Sequence, residues 1–161
     1  PDILLVGEMR DLDTIQNAIT LAETGHLVLG TLHTKSVGET IDRIIDVFPP
    51  EQQAQVRIQL ANSIEGIVCQ DLLPKVGGGR VPCLEIMIAN DAIRSIIRES
   101  QSPNAIVDQI QATSKKYGAQ TKIQALARLI IDGLIERETA VKNLKVEDYD
   151  LLNRTIVSLS T

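Results

Sequence analysis

The sequence predicts an α/β fold, and three observations predict it. Two continuous apolar runs, Ile3-Leu4-Leu5-Val6 and Leu27-Val28-Leu29 continuing to Leu32, flank a stretch of helical periodicity. A second pair of apolar segments is joined by Gly77-Gly78-Gly79, and from Asp91 onward the pattern is helical. Uninterrupted apolar runs suit parallel strands covered on both faces, because alternation disappears when neither face meets water.

Each element has a local reason. Asp11 is placed to cap a helix with Leu12, Ile15, Ala18, Ile19 and Ala22 on its apolar side, and Gly25 falls where a left-handed residue ends it. Strand, helix and strand at this spacing form a right-handed βαβ unit. Ser36-x-x-Glu39 reads as a capping box opening a second helix, with Ile41, Ile44, Ile45 and Phe48 on one side. Pro49-Pro50 stops that helix, and Pro50 supplies the first position of the next, which carries Val56, Leu60 and Ile64 at helical spacing. Residues 65–75 and 80–88 read as antiparallel strands around the triple glycine, with Pro82 arguing for a sheet edge. Asp91 begins a short helix, and Ser102-Pro103 another that ends near Gly118. Thr121 begins a third, with Ile123, Leu126, Ile130 and Ile131, ending near Gly133. A short helix around residues 138–144 precedes a polar tail over 146–161.

Two parallel strands and a hairpin make too little sheet to cover both faces of such apolar segments. The first strand begins almost at the start of the sequence, as if neighbouring strands had been cut away. The expectation is therefore the C-terminal portion of a larger α/β domain over residues 1–89, a helical bundle over 90–145, and the tail.

Composition removes several function classes. The chain has 161 residues and a net charge of -5, so no global basic field draws it toward nucleic acid or anionic lipid. Aromatic residues are 2% with no tryptophan, too few for a base-stacking surface, and no nucleic-acid partner is expected. No apolar run approaches the roughly 18 residues of a membrane span, and the opening residues do not read as a signal peptide. Cys69 and Cys83 lack zinc-ligand spacing and do not face each other across the glycine turn; they read as reduced thiols of a cytoplasmic protein.

The chemistry-bearing residues follow the two parallel strands. Gly7-Glu8-Met9-Arg10-Asp11 ends the first with an acid, a base and an acid. Ligands of open α/β sheets sit beyond the carboxyl ends of the strands, where a carboxylate can hold a hydrated Mg²⁺ or orient a water. The same acid also suits a strand-end helix cap, and the residues alone leave both readings open. The second strand, Gly25-His26-Leu27-Val28-Leu29-Gly30-Thr31-Leu32-His33-Thr34, puts Thr31 and His33 at its carboxyl end and His26 at the opposite end. If the strands are neighbours, His33 lies beside Glu8, able to donate a hydrogen bond to a phosphoryl oxygen.

Together these two stretches resemble the Walker B region and histidine box of the secretion and type IV pilus motor ATPases, hexameric RecA-like P-loop enzymes. The resemblance implies that Glu8 is the Walker B glutamate, near Mg²⁺ and the attacking water. It implies that His33 contacts or senses the γ-phosphate, that His26 is the first histidine of the box, and that Thr31, His26 and Arg10 belong to the ATP site. Arg10 is left between a salt bridge with Asp11 or Asp13 and a contact across subunits. A third segment, Ala92-Ile93-Arg94-Ser95-Ile96-Ile97-Arg98-Glu99, resembles the AIRNLIRE motif of the pilus-retraction members, with Ser95 for Asn and Ile96 for Leu. Read physically, Ile93, Ile96 and Ile97 form one helical face and Arg94 and Arg98 another, an amphipathic helix with a solvated charged side. The resemblance implies that this helix serves retraction rather than hydrolysis.

The resemblance covers residues 1 to about 145 and leaves the tail unmatched. It implies a homo-hexameric ATPase that uses ATP and Mg²⁺ to power type IV pilus retraction in twitching motility. Such a motor works in the cytoplasm, peripherally at the inner membrane against the pilus platform. The sequence contains no G-x-x-x-x-G-K-[ST], and the glycine turn cannot replace it because no helix N-terminus follows. By itself the chain is expected to be inactive. Two other readings stand beside this one. A pilus-assembly or type II secretion ATPase would show a metal-binding cysteine cluster in the intact protein, and a stand-alone chain would be a non-catalytic interaction module.

Overall fold

The computed structural model describes residues 1–100 and 102–160. β1 (Ile3–Val6) and β2 (Leu27–Gly30) pair in parallel, Ile3 opposite Leu27 through Val6 opposite Gly30. The crossover is α1 (Leu12–Glu23), which buries Ile15, Ala18 and Ile19. The Asp11 carboxylate caps it, accepting the Thr14 N–H at 2.9 Å, and Gly25 turns the chain back at φ +96°.

α2 (Val37–Asp46) and α3 (Pro50–Ser63) follow, with Pro50 at the first position of α3 as expected. Half of the expected capping box forms: the Ser36 hydroxyl accepts the Glu39 N–H at 3.2 Å. The Glu39 carboxylate reaches past Ser36 to the Lys35 N–H, at 2.9 Å. An ionised acceptor gains from any free donor at a helix N-terminus, and Lys35 offers one just outside the first turn.

β3 (Gly66–Pro74) and β4 (Arg80–Ile88) form the antiparallel hairpin, and Gly77, Gly78 and Gly79 all take positive φ in its turn. Cys69 pairs with Glu85 and Cys83 with Asp71, so the two thiols are free and both are buried. Among the described residues the strands make two separate two-stranded sheets.

α4 (Asp91–Arg98), α5 (Pro103–Tyr117), α6 (Lys122–Ile131) and α7 (Arg137–Lys142) complete the expected helices. The segment expected as a polar tail is different. It forms α8 (Tyr149–Ser160), entered through a 3-10 turn at Val146–Asp148, and Leu152 is 1% exposed. Leu152 and Ile156 stand four apart and pack with Leu126 and Ala127 of α6, enough of a stripe to dock a helix on a ready surface.

Two apolar clusters result. The larger joins Ile15, Ile41, Ile45, Phe48, Met87, Ile93 and Ile110, from α1 to α5. The smaller joins Leu73, Cys83, Leu126, Ile135, Ala140 and Leu152. One face of the hairpin serves both, because Cys69 and Met87 lie in the first and Leu73 and Cys83 in the second. The parallel pair is barer. Ile3 and Leu5 share a face with their register partners Leu27 and Leu29, and that face is open, with Leu5 76% exposed.

Candidate functional site

Parallel pairing in register ends β1 and β2 on one rim, so the residues after Val6 and after Gly30 meet there. Two hydrogen bonds join the two exits. The Met9 N–H donates to the Thr31 carbonyl at 2.9 Å, and the Thr31 hydroxyl donates to the Gly7 carbonyl. The Met9 side chain crosses Gly30 so closely that a Cβ there would stand 2.7 Å from the Met9 Cε. A side chain at that point would have to push the flexible Met9 thioether aside, a matter of space and not of φ.

The outcome is that His33 Nε2 lies 3.2 Å from Glu8 Oε1, and the Arg10 guanidinium pairs with the same oxygen. The Glu8 side chain is 27% exposed, whereas Arg10 and His33 stand mostly in solvent. The hydrogen bond from Arg10 holds the Glu8 carboxyl below the usual glutamate range against partial desolvation, with smaller help from the Arg10 and His33 charges. Glu8 is thus an ionised acceptor at neutral pH. It can orient a water or hold a hydrated cation, and it has no proton to give.

A cleft of about 430 Å³ opens at this corner, and its second wall is the polar side of α2, with Glu39, Asp42, Arg43 and Asp46. Sequence reasoning missed that wall. Its signal was present, since these residues lie opposite the apolar side of Ile41, Ile44 and Ile45.

The other candidates fall in different places. Thr31 is in the corner, but its hydroxyl is engaged by the Gly7 carbonyl. Arg10 pairs with Glu8 rather than with Asp11 or Asp13, and the Asp11 carboxylate instead accepts the Thr14 N–H and hydroxyl, at 2.9 and 3.0 Å. His26 lies at the other rim, with its Nδ1 3.1 Å from the Leu21 carbonyl and 3.2 Å from the Thr24 hydroxyl, and is not brought to the cleft.

Helix α4 carries residues 91–98 onto α3. Ile93 and Ile97 are buried, Ile96 is partly buried against them, and Ala92 is exposed. The charged side is solvated at Arg98 as expected, but not at Arg94. Arg94 Nη1 donates to the Ala61 and Asn62 carbonyls at 2.8 and 3.0 Å, and Nη2 to Glu65 at 3.1 Å. Arg98 reaches the Asn62 side chain at 3.3 Å, and the Ser95 hydroxyl donates to Glu99 at 2.8 Å. A guanidinium offers several donors in one plane, and here it satisfies carbonyls left free where α3 ends.

The family model described as Type II/IV secretion system protein matches residues 1–78. The type IV pilus retractation ATPase PilT of Pseudomonas aeruginosa is 51% identical over 148 residues, 92% of this chain and 42% of that protein. The chain is thus similar to that family over its first 78 residues and to this retraction ATPase over most of its length. A twitching motility protein of Neisseria gonorrhoeae is 47% identical over 141 residues, 87% of this chain and 37% of its own length. Among solved structures, the crystal structure of the pilus retraction motor PilT with bound ADP superposes with a TM-score of 0.80 at 45% identity. That match covers 94% of this chain and 42% of the solved one. The chain thus spans under half the length of these relatives.

Proposed function

We propose that the intact protein carrying this sequence is an ATP-driven motor that retracts type IV pili. The observation that carries the reading is the apposition of Glu8 and His33 beyond the carboxyl ends of two adjoining parallel strands, in a chain so similar to retraction ATPases. Glu8 accepts a hydrogen bond from the attacking water and orients it. Arg10 keeps that carboxylate ionised, and His33 Nε2 offers a donor to a phosphoryl oxygen.

The residues fit a nucleotide with its magnesium. Mg²⁺ keeps several waters and takes one or two carboxylates beside substrate phosphates, and the rim supplies one ionised carboxylate in an open cleft. Glu8 would hold the ion through water; when bound, it neutralises charge on the phosphates. The phosphate-cradling loop lies outside these residues, so the motor's hexameric ring, its pilus-platform partner and its place at the cytoplasmic side of the inner membrane belong to the intact protein. In this reading residues 1–89 are motor core, and residues 90–145, including 92–99, transmit its motion.

The test is Glu8→Ala in the intact protein, read by ATP turnover and by size-exclusion chromatography with light scattering. Turnover falls by about 10² or more while the assembly persists, since one charge is lost and no core residue is removed. Turnover at the unsubstituted rate refutes the assignment.

A further inference from the structure

Beside the cleft, a set of buried polar groups runs inward from the start of α2, and the chemistry above does not use it. Glu85, in the middle of β4, is 6% exposed, and its carboxylate accepts the Val37 N–H at 2.8 Å. Val37 is the first residue of α2 and is 0% exposed. Burial pushes the Glu85 carboxyl up, opposed by the Val37 hydrogen bond and the Lys122 charge. An ionisable acid is a costly residue at so buried a position, so the bond it makes there is the feature to explain.

The same helical turn holds the loop that carries His33. The buried Thr40 hydroxyl lies 2.7 Å from the Thr34 hydroxyl and 2.8 Å from the Ser36 carbonyl, and stands 3.6 Å from Cys69 Sγ of β3. Glu39 accepts the Lys35 N–H at 2.9 Å. Residues 34–36, directly after His33, are thus tied to the first turn of α2, and that turn is tied to the hairpin. Among the described residues the polar partner of the His33 ring is Glu8, and the His33 side chain is 84% exposed.

We infer that Glu85 is a positioning residue for His33: by holding the N-terminus of α2 on β4 it fixes the loop 31–36 that sets the imidazole against Glu8. It touches neither of those side chains and acts through α2. The inference rests on the reading of Glu8 and His33 given above. What the position demands is an acceptor for a buried N–H. A glutamine carbonyl meets that demand, and a leucine of similar bulk leaves the Val37 N–H without a partner.

The experiment compares Glu85→Leu, Glu85→Gln, His33→Ala and the Glu85→Leu/His33→Ala double variant in the intact protein, by steady-state ATP hydrolysis. Displacing a catalytic donor lowers kcat, so Glu85→Leu falls about tenfold or more with KM within about twofold, while Glu85→Gln recovers to within about threefold. Because Glu85 acts through His33, the double variant is no slower than His33→Ala alone. If Glu85→Leu keeps full kcat, or if the two losses multiply in the double variant, the positioning role is overturned. If Glu85→Leu fails to assemble, Thr40→Val removes the adjoining anchor at nearly constant volume and is held to the same pattern. A His33→Ala variant that hydrolyses normally overturns the reading of the cleft, and this inference with it. Loss in His33→Ala with none in Glu85→Leu or Thr40→Val overturns the inference alone.

Discussion

Glu8 shares one carboxylate oxygen between a guanidinium and an imidazole, and the partners differ in what they do to it. Arg10 is the larger influence on its ionisation. Removing the guanidinium in Arg10→Ala therefore moves the Glu8 titration midpoint up toward the ordinary glutamate range, followed by carboxyl-carbon NMR in protein labelled at glutamate. An unmoved midpoint would show that Arg10 is not what holds it down. Glu8 titrates lower when folded than unfolded, so its contribution to stability is present above the unfolded value and is lost as pH falls through the folded one. Glu85 has the opposite sign. Its folded carboxyl titrates higher, so the stability linked to it is full below the unfolded value of about 4.3 and declines as pH rises through the folded one. Relative to the native chain, Glu85→Gln therefore gains stability as pH is raised above the unfolded value of about 4.3, measured by thermal melts; a constant difference would contradict the assignment. At this scale Glu8 and His33 were legible in the sequence because each directly follows an apolar strand. The partner of Arg10 was not, because Asp11 and Asp13 were as near in the chain as Glu8.

Among the elements, α3 and α4 show how a motif read as a surface stripe becomes a joint. Arg94 bridges from one helix to the C-terminal end of the other, and its side chain is 19% exposed. Hydrogen bonds made by a charged donor contribute about 1.5–3 kcal/mol each when buried, and partial exposure here favours the lower figure for the whole side chain. Arg94→Ala should accordingly lower the stability of the intact protein by roughly 1–2 kcal/mol, while Arg98→Ala, on an exposed single contact, stays within about 0.5 kcal/mol. Denaturant titrations of both variants check the contrast, and equal effects would sink it. Under the retraction reading proposed above, an activity loss on replacing Arg94 is to be weighed against this loss of structure, whereas the Arg98 variant tests that reading more cleanly. The elements themselves were readable because caps, prolines and glycines act over four residues or fewer. Helix α8 was not read, because its apolar stripe gains meaning only against the surface of α6.

For the whole molecule, the open flank of β1 and β2 is the dominant feature. Ile3, Leu5, Leu27 and Leu29 form one apolar face, and a hollow of about 820 Å³ separates β2 from β3. Contiguous apolar surface of this kind drives association when nothing covers it. The 161-residue chain alone should bind a hydrophobic dye and self-associate at micromolar concentration, and Leu5→Lys with Leu29→Lys should suppress both, by fluorescence and sedimentation. A monodisperse, dye-silent native chain would contradict the role given to this face. The same chain should give no calorimetric heat with micromolar ATP, because it has no phosphate-cradling loop, and clear binding would contradict that expectation.

The sequence by itself determined the βαβ unit, the glycine-turned hairpin, the succession of capped helices and the rim on which Glu8 and His33 stand. These follow from apolar period and from the conformational limits of single residues, which are properties of short stretches of chain. Tertiary structure alone decided that Arg10 takes Glu8, that Arg94 closes α3 and that Glu85 holds α2. The Glu85 bond to Val37 spans 48 residues and the Arg94 bond to Ala61 spans 33. A side chain's charge and reach say what it can bond, but which distant backbone group it meets is fixed only when the apolar faces of its element have found their partners.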